Sequence, residues 1–254
     1  MKVLVLIPAR YASTRFPGKP LAKICGKEMI LRVCGQVSRT GYELAVATDD
    51  QRIYDTVMEA GYRAVMTRAD HPSGTDRLAE AYSKVGVDAD VIVNVQGDEP
   101  FIDPAQIQSV VKLFEENPGT QLGTLARPYP KSGTYDGIAD PNLVKLVMSE
   151  EGEALYFSRS VIPYVRGVDP EKWPSCVQYY THIGIYAYTP KVLDEVVKIP
   201  RSPLEKTESL EQLRWLQNGY HIRVAVSDSP TVGIDTPADL EAAERFLKET
   251  NPDS

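Results

Sequence analysis

Sulfur, long apolar runs and positive charge are all scarce in this chain, and each scarcity closes off a class of protein. The three cysteines (Cys25, Cys34 and Cys176) form no CxxC pair and are odd in number. That argues against a disulfide framework and fits reduced thiols in a cytoplasmic protein. No stretch approaches eighteen apolar residues, so no membrane span is expected. The opening run VLVLIPA stops at Arg10; it is too short for the apolar core of a secretory signal and reads better as a buried strand. With 28 Lys and Arg against 35 Asp and Glu, the net charge is -7, which leaves no general basic surface for nucleic acid. Internal repeats and low-complexity segments are absent as well.

One further absence is local. No acid precedes Glu28, and the stretch RYASTRFPGKPL, residues 10–21, places Arg10, Arg15 and Lys19 within ten residues. An acidic chain therefore opens with a cationic loop.

At 254 residues and 43% hydrophobic content, the chain can bury a full core. Short apolar runs alternate with helical patterns. KVLVLIP, ELAVAT, YRAVMT and DVIVNV read as strands buried on both faces. Between them, KEMILRVCGQVSRT can place Ile30, Val33, Cys34 and Val37 on one helical face. DQRIYDTVMEAG, TDRLAEAYSKVG and DPAQIQSVVKLFEENPG are further helices, the second capped by Thr75 or Asp76, the last opened by Asp103 and Pro104. This alternation implies an α/β fold with a mostly parallel central sheet and helices on both faces. From about residue 120 to 190 the pattern changes to longer, tyrosine-rich runs. That part reads as a mixed or antiparallel extension of one domain spanning 1–254, with a protruding hairpin and with GVDPEKWPS as a loop. A helix PLEKTESLEQLRWLQNG, a strand HIRVAV and a last helix opened by Thr236 and Pro237 follow.

Three constellations carry chemistry. Ligands of an open α/β sheet bind beyond the carboxyl ends of its strands, where the cationic loop would lie. Arginines there can grip phosphate oxygens in a fork, a lysine adds a point charge, and Ser13, Thr14 and backbone N–H groups add donors. The loop matches neither GxxxxGK[ST] nor GxGxxG, and its other reading is a solvated surface loop. VIVNVQGDEPFI ends a strand in the adjacent acids Asp98 and Glu99, a pair suited to a divalent cation such as magnesium or simply to a solvated turn. Asp235 precedes the last helix as a second candidate ligand or as a helix-starting residue.

In order along the chain stand IPARYASTRFPGKPL, ATDD, HPSGTDRLAE, VNVQGDEPFI, ALYFSRSVIPY, THIGIYAY, PLEKTESLEQLRWLQNGYHIRVAV and GIDTPADLE. This series resembles the cytidylyltransferases that activate 3-deoxy-manno-octulosonate (Kdo), over nearly the whole length. The resemblance implies a Rossmann-like nucleotidyltransferase fold and CMP transfer from CTP to Kdo, without a covalent enzyme intermediate. It also implies magnesium as cofactor, with Asp98 and Asp235 as ligands. Arg10, Ser13 and Lys19 would hold the CTP phosphates, with Arg15 close to the reacting groups. Ser73, Gly74 and Arg77 would form the cytosine and ribose segment. Gln96, Arg159, His182, Tyr186, Glu211 and Gln212 would meet the sugar acid. The resemblance further implies a homodimer built through the tyrosine-rich strands, and a product used for lipopolysaccharide. By themselves, His182 reads as a core histidine, and Glu211 and Gln212 as solvated helix residues. A related acidic sugar (8-amino-Kdo or a sialic acid) would fit the same residues, and a non-catalytic sugar-nucleotide binding module would keep the same fold.

Overall fold

A computed structural model describes residues 1–12, 16–229, 233, 234 and 236–250, except the side chains of 237 and 246–250. The chain forms two compact units, Met1–Gln108 with Pro230–Ser254, and Ser109–Ser229.

In the first unit, β1 (Val3–Ala9) has no polar residue and is buried almost throughout. A hairpin of β2 (Lys23–Ile24) and β3 (Lys27–Glu28) follows. Its turn needs positive φ at Cys25 (45°) and Gly26 (77°). Next come α1 (Met29–Ser38), β4 (Glu43–Thr48), α2 (Gln51–Glu59), β5 (Ala64–Met66), α3 (Gly74–Val85), β6 (Val91–Asn94) and the start of α4 (Pro104–Glu116), whose residues from Ser109 on belong to the second unit. The strands lie in the order β6-β1-β4-β5, every pair parallel. Such strands must be apolar on both faces, which is why their sequences read as unbroken runs. The helices bury the expected stripes: Ile30, Val33, Cys34 and Val37 on α1, and Ile53 and Val57 on α2. Asp103 opens α4 by accepting from the Ala105 N–H at 2.9 Å.

After the end of α4, the second unit holds β7 (Leu122–Pro128), α5 (Tyr135–Ala139), β8 (Lys145–Met148), β9 (Ala154–Ser158), α6 (Trp173–Cys176) and β10 (Tyr180–Tyr188). It continues through α7 (Pro190–Val196), α8 (Pro203–Glu208), α9 (Gln212–Gln217) and β11 (Arg223–Val226). Here β7 pairs antiparallel with β10 and parallel with β11, while β8 joins β10 and β9 in antiparallel fashion. The change of pattern near residue 120 is therefore a change from parallel to mixed pairing, and β8–β9 is the expected hairpin. A register shift in β10 between Ile183 and Tyr186 marks a bulge. Tyr179, Tyr186 and Tyr188 are buried in the unit's own core. The chain then returns to the first unit with α10 (Pro237–Thr250). Thr236 and Asp239 cap it reciprocally: the Thr236 N–H reaches the Asp239 carboxylate at 2.8 Å, and the Asp239 N–H reaches Thr236 Oγ1 at 3.3 Å.

Three local readings change. PLEKTESLEQLRWLQNG is two helices rather than one, because Ser209 adopts a left-handed φ of 53°. Glu208, just before it, accepts from Ser158 Oγ at 2.6 Å and from the Arg159 N–H at 2.9 Å, which fixes the end of α8 against the end of β9. GVDPEKWPS is not a plain loop; it holds a 3-10 turn, Pro170–Lys172, and α6. Finally, Ser73 caps α3 in place of Thr75 or Asp76.

Candidate active site

A cleft of about 280 Å³ opens in the first unit at the carboxyl ends of β1 and β6, and the N-terminus of α3 enters its wall. It is lined by Arg10, Lys19, Ser73, Gly74, Arg77, Gln96 and Asp98, all of them candidates from the sequence. Two glycines shape it. Gly18 has φ 73°, its N–H reaches the Tyr11 carbonyl at 2.9 Å, and a Cβ there would sit 3.0 Å from the Tyr11 ring. The cationic loop thereby closes on itself and delivers Lys19. At Gly97, a Cβ would lie 2.8 Å from the Pro8 carbonyl oxygen, so only glycine lets the turn after β6 pack against the end of β1. That packing places Asp98 beside the loop: Lys19 Nζ meets Asp98 Oδ2 at 2.6 Å. Arg10 is exposed at the mouth. Ser13 and Arg15 lie outside the described residues, as does Asp235.

Ser73 Oγ accepts from the Asp76 N–H at 3.2 Å and donates to the Asp76 carboxylate at 2.5 Å. The hydroxyl is thus engaged in capping. What the turn can offer a ligand is the positive end of the α3 dipole at Ser73 and Gly74, which favours anions. Arg77 is also engaged, donating to Thr67 Oγ1 at 2.6 Å and to Asp49 Oδ2 at 3.1 Å. Asp49, at the carboxyl end of β4, was not singled out by its sequence context, although ATDD occupies the same kind of strand end as QGDEP.

Asp98 is the acid that lines the cleft. Its side chain is 33% exposed, and its backbone carbonyl accepts from the Ile234 N–H at 3.0 Å. Burial and the Asp98 charge push neighbouring Glu99 up to about 7. Among the described residues no group of three or more His, Cys, Asp or Glu side chains is gathered for a metal. One accessible carboxylate at a phosphate-sized cleft suits magnesium, which takes few protein ligands and completes its shell with phosphates and water.

The remaining sugar candidates lie in the second unit. His182 is held by Thr124 Oγ1 at 2.9 Å and by the rings of Phe157 and Tyr186, each 5.2 Å away. Burial pushes its imidazole down to about 4, so it is neutral at neutral pH. The buried Tyr186 hydroxyl and Gln212 Nε2 have no hydrogen-bond partner among the described residues. The same holds for the indole Nε1 of Trp215, whose ring lies edge-on to Tyr186 at 5.1 Å. Trp215 was not singled out by the sequence. Unpaired buried donors are costly unless a ligand or water meets them. Glu211 is paired with Arg214. Arg159 acts as a brace here: its guanidinium donates to the carbonyls of Glu208 at 2.7 Å and Pro141 at 2.8 Å.

Residues 4–223 match the cytidylyltransferase family. A 3-deoxy-manno-octulosonate cytidylyltransferase of Bacteroides thetaiotaomicron is 53% identical over 248 residues, covering 98% of this chain and 99% of that protein. One of the same name from Syntrophotalea carbinolica is 47% identical over 253 residues, covering 98% and 99%. A solved structure of CMP:2-keto-3-deoxy-manno-octonic acid synthetase complexed with CTP superimposes with a TM-score of 0.90 at 41% identity, covering 98% of this chain and all of that one. Sharing its fold end to end and about half its residues with such proteins, the chain belongs to the cytidylyltransferase family.

Proposed function

We propose that this chain transfers CMP from CTP to the anomeric hydroxyl of Kdo, giving CMP-Kdo and pyrophosphate. The observation that carries this reading is the cleft of the first unit. There a cationic loop, an accessible carboxylate and a helix N-terminus converge on a phosphate-sized space. Relatives at half identity bear the corresponding name.

In the reaction, the sugar hydroxyl oxygen bonds to the α-phosphorus as that phosphorus parts from the oxygen linking it to the β-phosphorus, which leaves with pyrophosphate. The hydroxyl gives up its proton. Arg10 and Lys19 offset charge on the triphosphate and on the leaving group, with Ser13 and Arg15 of the same loop assigned beside them. The first turn of α3 at Ser73 and Gly74 receives the nucleoside through backbone donors, and Arg77 holds that turn. Catalysis rests on positioning and on charge stabilisation. Asp98 and Asp235 would hold magnesium, which would supply positive charge beside the phosphates and favour loss of the hydroxyl proton. The Ile234–Asp98 hydrogen bond supports that pairing, because it ties the segment before Asp235 to the Asp98 turn.

Gln96, Arg159, His182, Tyr186, Glu211 and Gln212 are assigned to the sugar acid. A neutral His182 contributes hydrogen bonds there, not charge, so the sugar carboxylate falls to an arginine. No helix among the described residues is long and apolar enough to cross a membrane. A cytoplasmic homodimer supplying lipopolysaccharide synthesis completes the proposal. For the dimer face, Leu155 (62% exposed) and Tyr164 (72%) are available, whereas the core tyrosines are not.

The test is pyrophosphate release with CTP, Mg²⁺ and Kdo, each omitted in turn. Release that needs all three, and that Asp98→Asn cuts by roughly a hundredfold or more, is the expected result. Release only with 8-amino-Kdo or a sialic acid would replace the substrate, and silence with every sugar acid from protein that binds CTP would leave a binding module.

A further inference from the structure

One wall of the cleft, His71 to Gly74, is a loop between β5 and α3, and α3 holds this loop from a single face. Arg77, Glu80 and Lys84 stand at i, i+3 and i+7, so they share that face. Each grips a different point. Arg77 donates to Thr67 Oγ1 at 2.6 Å, and Lys84 Nζ donates to the Met66 carbonyl at 3.0 Å. Glu80 Oε2 receives both the Arg68 N–H, at 3.1 Å, and His71 Nε2. Lys84 Nζ also pairs with Glu80 Oε1 at 2.6 Å. Burial disfavours the Glu80 charge, but Lys84, the Arg68 N–H and His71 outweigh it and hold the carboxyl down to about 2. An ionised carboxylate only accepts, so His71 Nε2 carries the proton of that bond. His71 is nearly buried (side chain 4% exposed), and it lines the cleft next to Pro72, Ser73 and Gly74.

We propose that Glu80 is a positioning residue for the nucleotide, acting through His71 and the Arg68 backbone to fix the Pro72–Gly74 turn against the cleft. Glu80 is not itself part of the cleft lining. Its removal frees two tethers at once, at positions 68 and 71, while the Lys19–Asp98 side of the cleft keeps its own contacts. Nucleotide binding then weakens without a matching loss in the reacting geometry. The inference rests on the reading of Ser73 and Gly74 as the nucleoside segment.

The experiment compares wild type, Glu80→Ala, Glu80→Gln and His71→Leu. Pyrophosphate release gives kcat and both KM values, and calorimetry gives the CTP Kd. For Glu80→Ala, a rise of roughly tenfold in KM and Kd for CTP is expected, with kcat and the KM for Kdo within about twofold of wild type. His71→Leu removes one of the two tethers and should also raise the Kd for CTP, which supplies that readout if Glu80→Ala does not fold. Glu80→Gln keeps an acceptor for both tethers and should return CTP binding to near wild type. A variant that loses thermal stability while CTP binding stays unchanged would show a purely structural pair and overturn the inference. So would a fall in kcat with unchanged CTP affinity. If wild type releases no pyrophosphate from any sugar acid, the functional reading fails separately; the CTP Kd still decides this one.

Discussion

At the scale of single residues, the site depends on what position 97 does not carry. Gly97 has no Cβ to strike the Pro8 carbonyl at 2.8 Å, whereas a Cβ on Gly74 would find its nearest neighbour at 3.8 Å. Gly97→Ala should therefore cost about 1–3 kcal/mol and reduce turnover, because Asp98 moves with the turn. Gly74→Ala should leave stability within about 1 kcal/mol; urea midpoints of the two variants would separate them. His182 gives a pH signature. Its folded pKa, about 4, lies below the ordinary 6.5, so the unfolded chain binds a proton that the folded chain refuses. Stability should fall as pH drops from about 6.5 to 4, by at most about 3 kcal/mol from this group. His182→Gln should flatten that part of the stability profile relative to wild type. Of the seven cleft residues of the first unit, Arg10, Lys19 and Asp98 were legible as charges just beyond strand ends, whereas Ser73, Gly74, Arg77 and Gln96 were legible only through the family resemblance. His71 and Glu80 were not, since their partnership crosses a loop and nothing in a nine-residue separation signals it. Trp215 was not legible either, because an indole on an apolar helix face reads the same whether or not its N–H has a partner.

At the scale of elements, the same physics sorts what could be read. Strands buried on both faces write themselves as apolar runs, so β1, β4 and β6 were plain in the sequence, and amphipathic spacing showed α1 to α4. Two-residue strands have no period, which hid β2 and β3. The break between α8 and α9 was hidden because Ser209 sits in a sequence that favours helix, and distant bonds from Glu208 to Ser158 and Arg159 secure the end of α8. Capping was misplaced by two or three residues at α3, where SGTD offers several capping side chains. The structure's choice has a measurable consequence. Because the Ser73 hydroxyl caps α3, Ser73→Ala should lower stability by about 1 kcal/mol, seen as a fall in Tm. Its KM for CTP should change by less than about threefold, since the backbone donors remain. A large KM increase with no change in Tm would instead assign the hydroxyl to the ligand.

At the scale of the whole molecule, the first unit is discontinuous in sequence: Pro230–Ser254 belongs with Met1–Gln108. Ile234 and Ala243 are fully buried in one cluster with Ile24 and Met29, packed by Phe16, Phe101 and Leu240. A chain truncated after Ser229 should lose this cluster. We expect lower cooperativity of first-unit unfolding and loss of pyrophosphate release, with hydrogen exchange of β7 and β10 in the second unit little changed.

The Ile234–Asp98 bond also has a consequence in time. As the ribosome delivers the chain, all four parallel strands of the first unit emerge early, but the cluster beneath the cationic loop stays open. The whole of the second unit must be synthesised before Ile234 can fill that gap and reach the Asp98 carbonyl. The nascent Asp98 turn thus exists without this contact for much of translation. Delivery of Ile234, rather than formation of the sheet, is the event that completes this contact.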